Sequence, residues 1–473
     1  MSFDLILWVA LGTLIGIVVG AIPGLTGAMV IALSIPLTFA MEANDALALL
    51  VSMYVGSVSG GLITATLLRI PGTPSSIMTT LDAYPMAARG EAKRALSIGI
   101  LSSLVGGLIS WGILVGLARP IATFSLRMGP MDFFALVLLA LALVVVISKG
   151  DMWAGLFSVC LGMLLSMPGL DPSTGQPRLT FGLTELGDGF KQLPVLIGLF
   201  AVPEAFRLAT RAGGEGEILS GDGGAFLKVR EWKNQLANLI RSSLIGSFIG
   251  VLPGIGANIG SLIAYGSAKA SAKDGDKFGS GADSAVVASE SANNATVGGA
   301  LVPLISLGIP GSVIDAILLG AFVIHGLQPG PLLFANSPDI VTTITGSYLL
   351  ANVAMFVFMW FGMGLIRRVM EIPQWILLPA VLTFCVVGSY AFANRMFDVW
   401  VMLGCGILGM LMQRFRIPLA PFVLGFILAP MAETNLAKGL AIGQSAFGWF
   451  SITVFVLILG IVAWPFLRRS KPA

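Results

Sequence analysis

Apolar positions in this chain come in long continuous runs, cut by short clusters of glycine, proline and charge. A membrane β-barrel would alternate polar and apolar residues instead. The runs predict membrane-embedded helices at roughly 4–19, 28–41, 47–68, 97–118, 131–148, 153–169, 193–206 and 236–252. Further runs follow at 255–266, 295–308, 313–326, 341–366, 373–392, 397–413, 418–431 and 441–466. Several are shorter than the ~20 residues that cross a hydrocarbon core of about 30 Å. Crossing and re-entrant segments are therefore both expected.

The stretch Leu301–Pro331 shows why. Its apolar runs, Leu301–Leu307 and Val313–Val323, meet at Gly308-Ile309-Pro310-Gly311-Ser312, and neither can span the membrane as a helix. Proline lacks a backbone donor and glycine permits positive φ, so the junction leaves backbone N–H and C=O groups free. Such backbone is tolerated at membrane depth only inside protein or beside a water-filled cavity. A helix–turn–helix that enters the membrane and turns back is expected. Its second arm would aim N–H groups and a positive dipole end at the junction, with Ser312 as cap, which suits an anion. The device recurs at Gly60-Gly61-Leu62 and Ile70-Pro71-Gly72-Thr73-Pro74-Ser75-Ser76. One such break fits a kinked spanning helix; broken segments in corresponding places of two halves point to a transporter's binding site.

Other echoes keep the same order. Gly20–Ala28 is answered by Gly250–Asn258, Leu161-Gly162-Met163-Leu164 by Leu408-Gly409-Met410-Leu411, and Pro194-Val195-Leu196-Ile197-Gly198 by Pro421-Phe422-Val423-Leu424-Gly425. A duplication is expected: membrane repeat 1 over 1–206, a polar linker over 207–235, membrane repeat 2 over 236–466 and a basic tail over 467–473. The linker carries Arg207, Arg211, Lys228, Arg230 and Lys233. The positive-inside rule groups these with Arg89–Arg94, Arg367-Arg368, Arg414, Arg416 and Arg468-Arg469-Lys471 in the cytoplasm, and puts Arg119 and Arg127 outside. The repeats would then have inverted topology, N-terminus out and C-terminus in. On that count Lys269, Lys273 and Lys277 fall outside.

Composition agrees with the pattern. The 473 residues are 56% hydrophobic and 11% charged, with a mean hydropathy of +0.93, against about 25% charged in a soluble domain. The class is an all-α polytopic membrane protein. A net charge of +3 spread among loops does not suggest nucleic acid. Cys160, Cys385 and Cys405 stand isolated in apolar runs, without metal or disulfide spacing. The sole histidine, His325 in His-Gly-Leu-Gln, rules out a His-based metal centre and reads as a hydrogen-bonded structural residue. The first apolar run leads into Gly20-Ala21-Ile22-Pro23-Gly24, so no cleavable leader is expected. A channel would need a pore-lining ring of like residues, and an intramembrane enzyme a catalytic set; neither is marked out. No P-loop for ATP is present.

Two polar stretches are read as loops: Thr79–Ala92 after the first hairpin, and Phe278–Ala295 before the second. Asn293-Asn294 lead into an apolar helix, so their amides are candidates for intramembrane coordination, with N-capping as the alternative.

At these residues the chain resembles the large membrane subunit of the tripartite tricarboxylate transporters, the TctA type. The resemblance rests on Ile70-Pro71-Gly72-Thr73-Pro74 with Asp82-Ala83-Tyr84-Pro85-Met86-Ala87; Leu252-Pro253-Gly254-Ile255-Gly256-Ala257; Glu290-Ser291-Ala292-Asn293-Asn294-Ala295; and Gly308–Ser312 running to His325–Pro331. It implies secondary uptake of citrate-like or related carboxylate anions across the bacterial inner membrane, driven by an ion gradient. It also implies two protein partners, a TctB-type small membrane subunit and a TctC-type periplasmic solute-binding protein. Inverted repeats with an elevator-like movement would follow. The chain departs from the family pattern at Arg69, where an uncharged residue is usual, and at Asp315, where small neutral residues are common. Ser289 and Ala83 are lesser departures.

The expected substrate ligands are Arg69, Gly72, Thr73, Pro74, Ser75, Ser76, Pro253, Gly254, Gly256, Asn258, Gly311 and Ser312. The expected coupling-ion ligands are Gly24, Thr26, Gly254, Glu290, Asn293, Asn294, Gly311 and Asp315, for sodium, with a proton carried by Glu290 as the alternative. No other cofactor is expected. Arg69 and Asp315 are ionisable residues in apolar surroundings and are expected to be linked, by direct pairing or through one shared ligand; the alternative is that Arg69 snorkels to a polar cavity and Asp315 caps its half-helix.

Overall fold

The computed structural model describes residues 3–22, 25–71, 73–147, 152–171, 174–210, 229–252, 257–272, 277–369, 374–391, 393–443 and 447–469. Backbone in a bilayer must satisfy its own hydrogen bonds, which favours helices. The first half holds α1 (Phe3–Gly20), α2 (Gly27–Ser34, extended by a 3-10 turn over Ile35–Thr38), α3 (Ala43–Leu67), α4 (Ile77–Ala88), α5 (Ala92–Ser125), α6 (Pro130–Ile147), α7 (Met152–Ser166) and α8 (Gln192–Thr210). The second holds α9 (Val229–Val251), α10 (Ala257–Ala270), α11 (Asp283–Leu307), α12 (Val313–Ile324), α13 (Pro331–Asn336), α14 (Pro338–Val369), α15 (Gln374–Ala391), α16 (Met396–Arg414), α17 (Leu419–Ile442) and α18 (Trp449–Arg469). Among the described residues the strands are β1 (Gly169–Leu170) and β2 (Pro177–Arg178), an antiparallel pair between α7 and α8. Seven of the described helices, α1, α3, α5, α6, α14, α16 and α17, are long and apolar enough to cross a membrane. The chain is an all-α polytopic membrane protein.

Helices α3 and α11 form the interior, buried without interruption from Ala46 to Leu67 and from Ala285 to Ser306. Small residues let their neighbours approach to backbone contact, the usual means of helix packing in lipid. Along α1, a Cβ on Gly12, Gly16 or Gly20 would stand 2.4 Å from the carbonyl oxygen of Leu49, Met53 or Ser57, so α1 runs parallel to α3. α9 lies parallel to α11 in the same way, with Gly246 against Ala292 and Gly250 against Thr296. α5 also runs with α11, through Gly106 against Ser291 and Ser110 against Gly298. α14 begins beside α3, where Thr343 Oγ1 donates to Asn44 Oδ1 (2.7 Å). α3 itself runs against α11. Ser59 meets Asn294, and one turn later Leu62 meets Gly99, one turn before the Ser103 that reaches Glu290. Two sets of helices, α1–α3–α14 and α5–α9–α11, therefore lie antiparallel.

Since α1 and α3 are parallel, the eight-residue α2 and its extension return the chain between them. The 14-residue α10 does the same between α9 and α11. This corrects the placement of charge. Arg94 on α5 joins Asp283 at the start of α11 (2.6 Å) and Glu231 at the start of α9 (3.0 Å). Arg89 donates to the carbonyls of Ser280 and Gly281. Lys277, three residues from Ser280, shares this face with Arg89 and Arg94 rather than lying across from them, because α10 turns back instead of crossing. Lys273 lies outside the described residues. Of the expected linker, Arg207 sits on α8 and Arg230 and Lys233 on α9, while Arg211 and Lys228 lie outside the described residues.

Both stretches read as loops are largely helical. Thr79–Ala88 belongs to α4 and Asp283–Ala295 to α11. Leu301–Leu307 is thus the last two turns of a 25-residue helix rather than a short first arm. Polar residues there resemble a loop in sequence because the hydroxyls that satisfy them come from other helices.

Candidate functional site

Each Pro-Gly break ends a buried helix in a tight turn. After α11, Gly308 adopts φ 71°, and Ser312 caps α12 by accepting from Asp315 N at 3.3 Å. A Cβ on Gly311 would meet Gly250 O at 3.0 Å and Ala300 Cβ at 3.1 Å, so this tip sits in the notch between α9 and α11. After α3, Arg69 takes a left-handed φ of 57° and Pro74–Ser76 forms a 3-10 turn leading into α4. Thr73 Oγ1 lies 2.9 Å from Ser75 Oγ and 2.8 Å from Ser76 Oγ, all three residues buried. That cluster packs on Gly61, whose Cβ would stand 2.8 Å from Ser76 Oγ.

The tips cross between halves. α12 contacts α2: a Cβ on Gly27 would meet Ser57 Oγ at 2.5 Å and Ile314 Cδ1 at 3.0 Å. The Pro74–Ser76 turn contacts α10 in the same manner. Thr26 serves as the N-cap of α2, accepting from Met29 N at 3.2 Å. Tyr54 of α3 places its hydroxyl 3.3 Å from Ser312 Oγ.

Between the tips, α11 carries its polar residues at helical spacing. Glu290 receives the Thr79 hydroxyl from α4 and the Ser103 hydroxyl from α5 (3.2 Å). Asn294 Oδ1 accepts from Ser59 Oγ of α3 at 2.6 Å, and its amide donates to Glu290 O at 3.3 Å. N-capping is excluded for Asn293 and Asn294, because α11 starts ten residues earlier at Asp283. Two groups are left over. Among the described residues, both polar atoms of Asn293 and both carboxylate oxygens of Asp315 are buried with no well-aligned hydrogen bond, Asn293 lying beside Glu290 and Asp315 beside Ser312. Neither Glu290 nor Asp315 makes an ion pair among the described residues. A buried carboxylate in that state must be neutralised by a cation or a proton.

Direct pairing of Arg69 with Asp315 is not found. Arg69 is exposed, with its guanidinium 5.6 Å from the ring centroid of Tyr84, whereas Asp315 is wholly buried in the first turn of α12. Arg69 follows the end of α3 in an exposed turn, where its long side chain reaches the surface. Gly24, Gly72, Pro253, Gly254 and Gly256 lie outside the described residues, as do the side chains of Pro74 and Asn258. His325 has the structural role its context suggests, its Nε2 3.1 Å from Thr38 Oγ1.

Several contributors escape sequence reading. Asp82 on α4 is fully buried and accepts from the backbone N–H of Gly279, Gly281 and Ala282 (each 2.9 Å) and from Tyr265 Oη (2.8 Å). It pins the loop before α11 to α4 and α10. Tyr348 Oη joins Ser110 Oγ (2.7 Å), Gly298 N (3.1 Å) and Asn294 O (3.3 Å). The available signal was the scarcity of tyrosine, five against 28 phenylalanines. A phenol kept inside an apolar run must find a partner.

The family model described as the tripartite tricarboxylate transporter TctA family matches residues 6–424. An uncharacterized 52.8 kDa protein in the TAR-I ttuC' 3'region of Agrobacterium vitis is 33% identical over 443 residues, covering 93% of this chain and 88% of that protein. A second uncharacterized protein of that organism, in the TAR-II ttuC' 3'region, is 34% identical over 180 residues, 38% of this chain and 72% of its own length. No solved structure matches.

Proposed function

Because the chain belongs to the TctA family of tripartite tricarboxylate transporters, we propose that it is the large membrane subunit of a secondary transporter for carboxylate anions in the bacterial inner membrane. A small membrane subunit and a periplasmic solute-binding protein are its partners on this reading. The observation that carries it is the crossing of the tips, which sets hydroxyl and N–H donors of one half against the re-entrant return of the other. Substrate carboxylates are held at the Thr73–Ser76 turn and the Ser312 tip. The coupling cation is sodium, with the buried oxygens of Asn293 and Asp315 as candidate ligands; a proton on Glu290 is the alternative. A trianion entering against an inside-negative potential of ~100 mV meets roughly 7 kcal/mol, so cotransported cations are required.

We read the halves as inverted repeats, α1–α8 answered by α9–α12 and α14–α17. The antiparallel helix sets support this. So does the gathering of Arg89, Arg94 and Lys277 on one face, which would be cytoplasmic. The N-terminus is then periplasmic and the C-terminus cytoplasmic. Movement is elevator-like, the two tips travelling together with α3 and α11.

Counterflow tests the reading. Proteoliposomes holding the three-component complex and preloaded with citrate should take up labelled citrate by exchange, faster with sodium on both sides. Flux without exchange acceleration marks a channel and overturns the proposal. Growth of a deletion strain on a panel of organic acids names the anion.

A further inference from the structure

A cavity of about 620 Å³ opens on the exposed side of α9 and runs from Ala237 past Phe248 to Ile249, with Ile263 of α10 as its far wall. Among the described residues, Arg241 is the one polar residue lining it. Its Nη2 donates to Asn238 Oδ1 at 2.7 Å, while its Nε is buried without a hydrogen-bond partner, and it makes no ion pair among the described residues. An arginine at this depth is costly unless an anion meets it. The bond to Asn238, one turn nearer the start of α9, shows the side chain reaching toward the face that carries Arg94 and Glu231.

We propose that this groove binds an anionic phospholipid, its phosphate on Arg241 and one acyl chain along α9. The groove is twelve helical rises long, about 18 Å, which matches one leaflet, about 15 Å, or half of the hydrocarbon core. A spanning helix of another protein would need twice that length. A phospholipid carries its charge at one end, near the level toward which Arg241 reaches, and its tail needs only apolar walls. Basic pockets between membrane helices take anionic headgroups by this chemistry.

The test is native mass spectrometry of the detergent-solubilised complex with added phosphatidylglycerol or phosphatidylcholine of the same chain length. Wild type should retain phosphatidylglycerol about fivefold better than phosphatidylcholine, the worth of one basic residue at the surface. Arg241→Gln should abolish that preference, and Arg241→Lys should keep it, since a phosphate reads the charge. Ala237→Phe should lower retention of both lipids by filling the groove. Equal retention in wild type, or an unchanged preference in Arg241→Gln, overturns the proposal. So does photocrosslinking from position 244 to a helix of the small subunit or of a second copy. If Arg241→Gln does not fold, Ala237→Phe decides: phosphatidylglycerol retention equal to wild type overturns the proposal.

Discussion

Asp315→Asn separates a structural carboxylate from a functional one. Both oxygens of Asp315 are buried, and among the described residues only the neutral Ser312 hydroxyl, backed by Tyr54, and the backbone N–H groups of Ser312 and Asp315 face them. An unpaired carboxylate at the centre of a membrane helix costs about 2.5–3.5 kcal/mol. Asparagine keeps the shape and removes the charge, giving up about 1–2 kcal/mol of attraction to the N-terminal end of α12. The variant should therefore be more stable than wild type by roughly 1.5 kcal/mol when no cation is bound. Sodium at ten times its dissociation constant should stabilise wild type by about 1.4 kcal/mol and leave the variant unmoved. Thermal unfolding of the detergent-solubilised complex, in choline chloride and then in sodium chloride at alkaline pH, reads both effects. A variant less stable than wild type in choline would show that the carboxylate is already compensated. Equal sodium responses would place the ion elsewhere. Either result refutes the reasoning.

Other perturbations probe the scaffold. Tyr348→Phe leaves Gly298 N–H and Ser110 without their shared oxygen and should lower stability by about 2 kcal/mol, read from the unfolding midpoint. Asp82→Asn faces three backbone donors and a phenol with one amide oxygen; a loss of ~3 kcal/mol and faster proteolysis in the 277–282 loop are expected. Gly299→Val puts a Cβ 2.2 Å from the Ser247 carbonyl oxygen and should cost more than ~3 kcal/mol, abolishing a monodisperse complex on size exclusion. Gly112→Val, with nothing within 4 Å of its Cβ, should elute as wild type. Ser59→Ala removes the donor to Asn294 and should cost ~1 kcal/mol in stability while slowing exchange in the counterflow assay.

The sequence by itself determined the class of protein, the places where helices break and the order of the echoed motifs, because all three are local. Continuous apolar runs, a Pro-Gly pair and a capping serine act within a few residues of themselves. Burial and partnership are not local, and there the tertiary structure decided. Glu290 looks like a loop residue until Thr79 and Ser103, 211 and 187 positions away, turn their hydroxyls toward it. Asn294 resembles a cap until Ser59, 235 positions away, fills its amide oxygen. Arg69 and Asp315 looked alike as charges in apolar surroundings; only the fold put one at the surface beside Tyr84 and the other in the core. Lys277 changed sides for the same reason. Whether a short helix crosses or returns depends on which neighbour its small residues can approach, and that neighbour is distant in sequence.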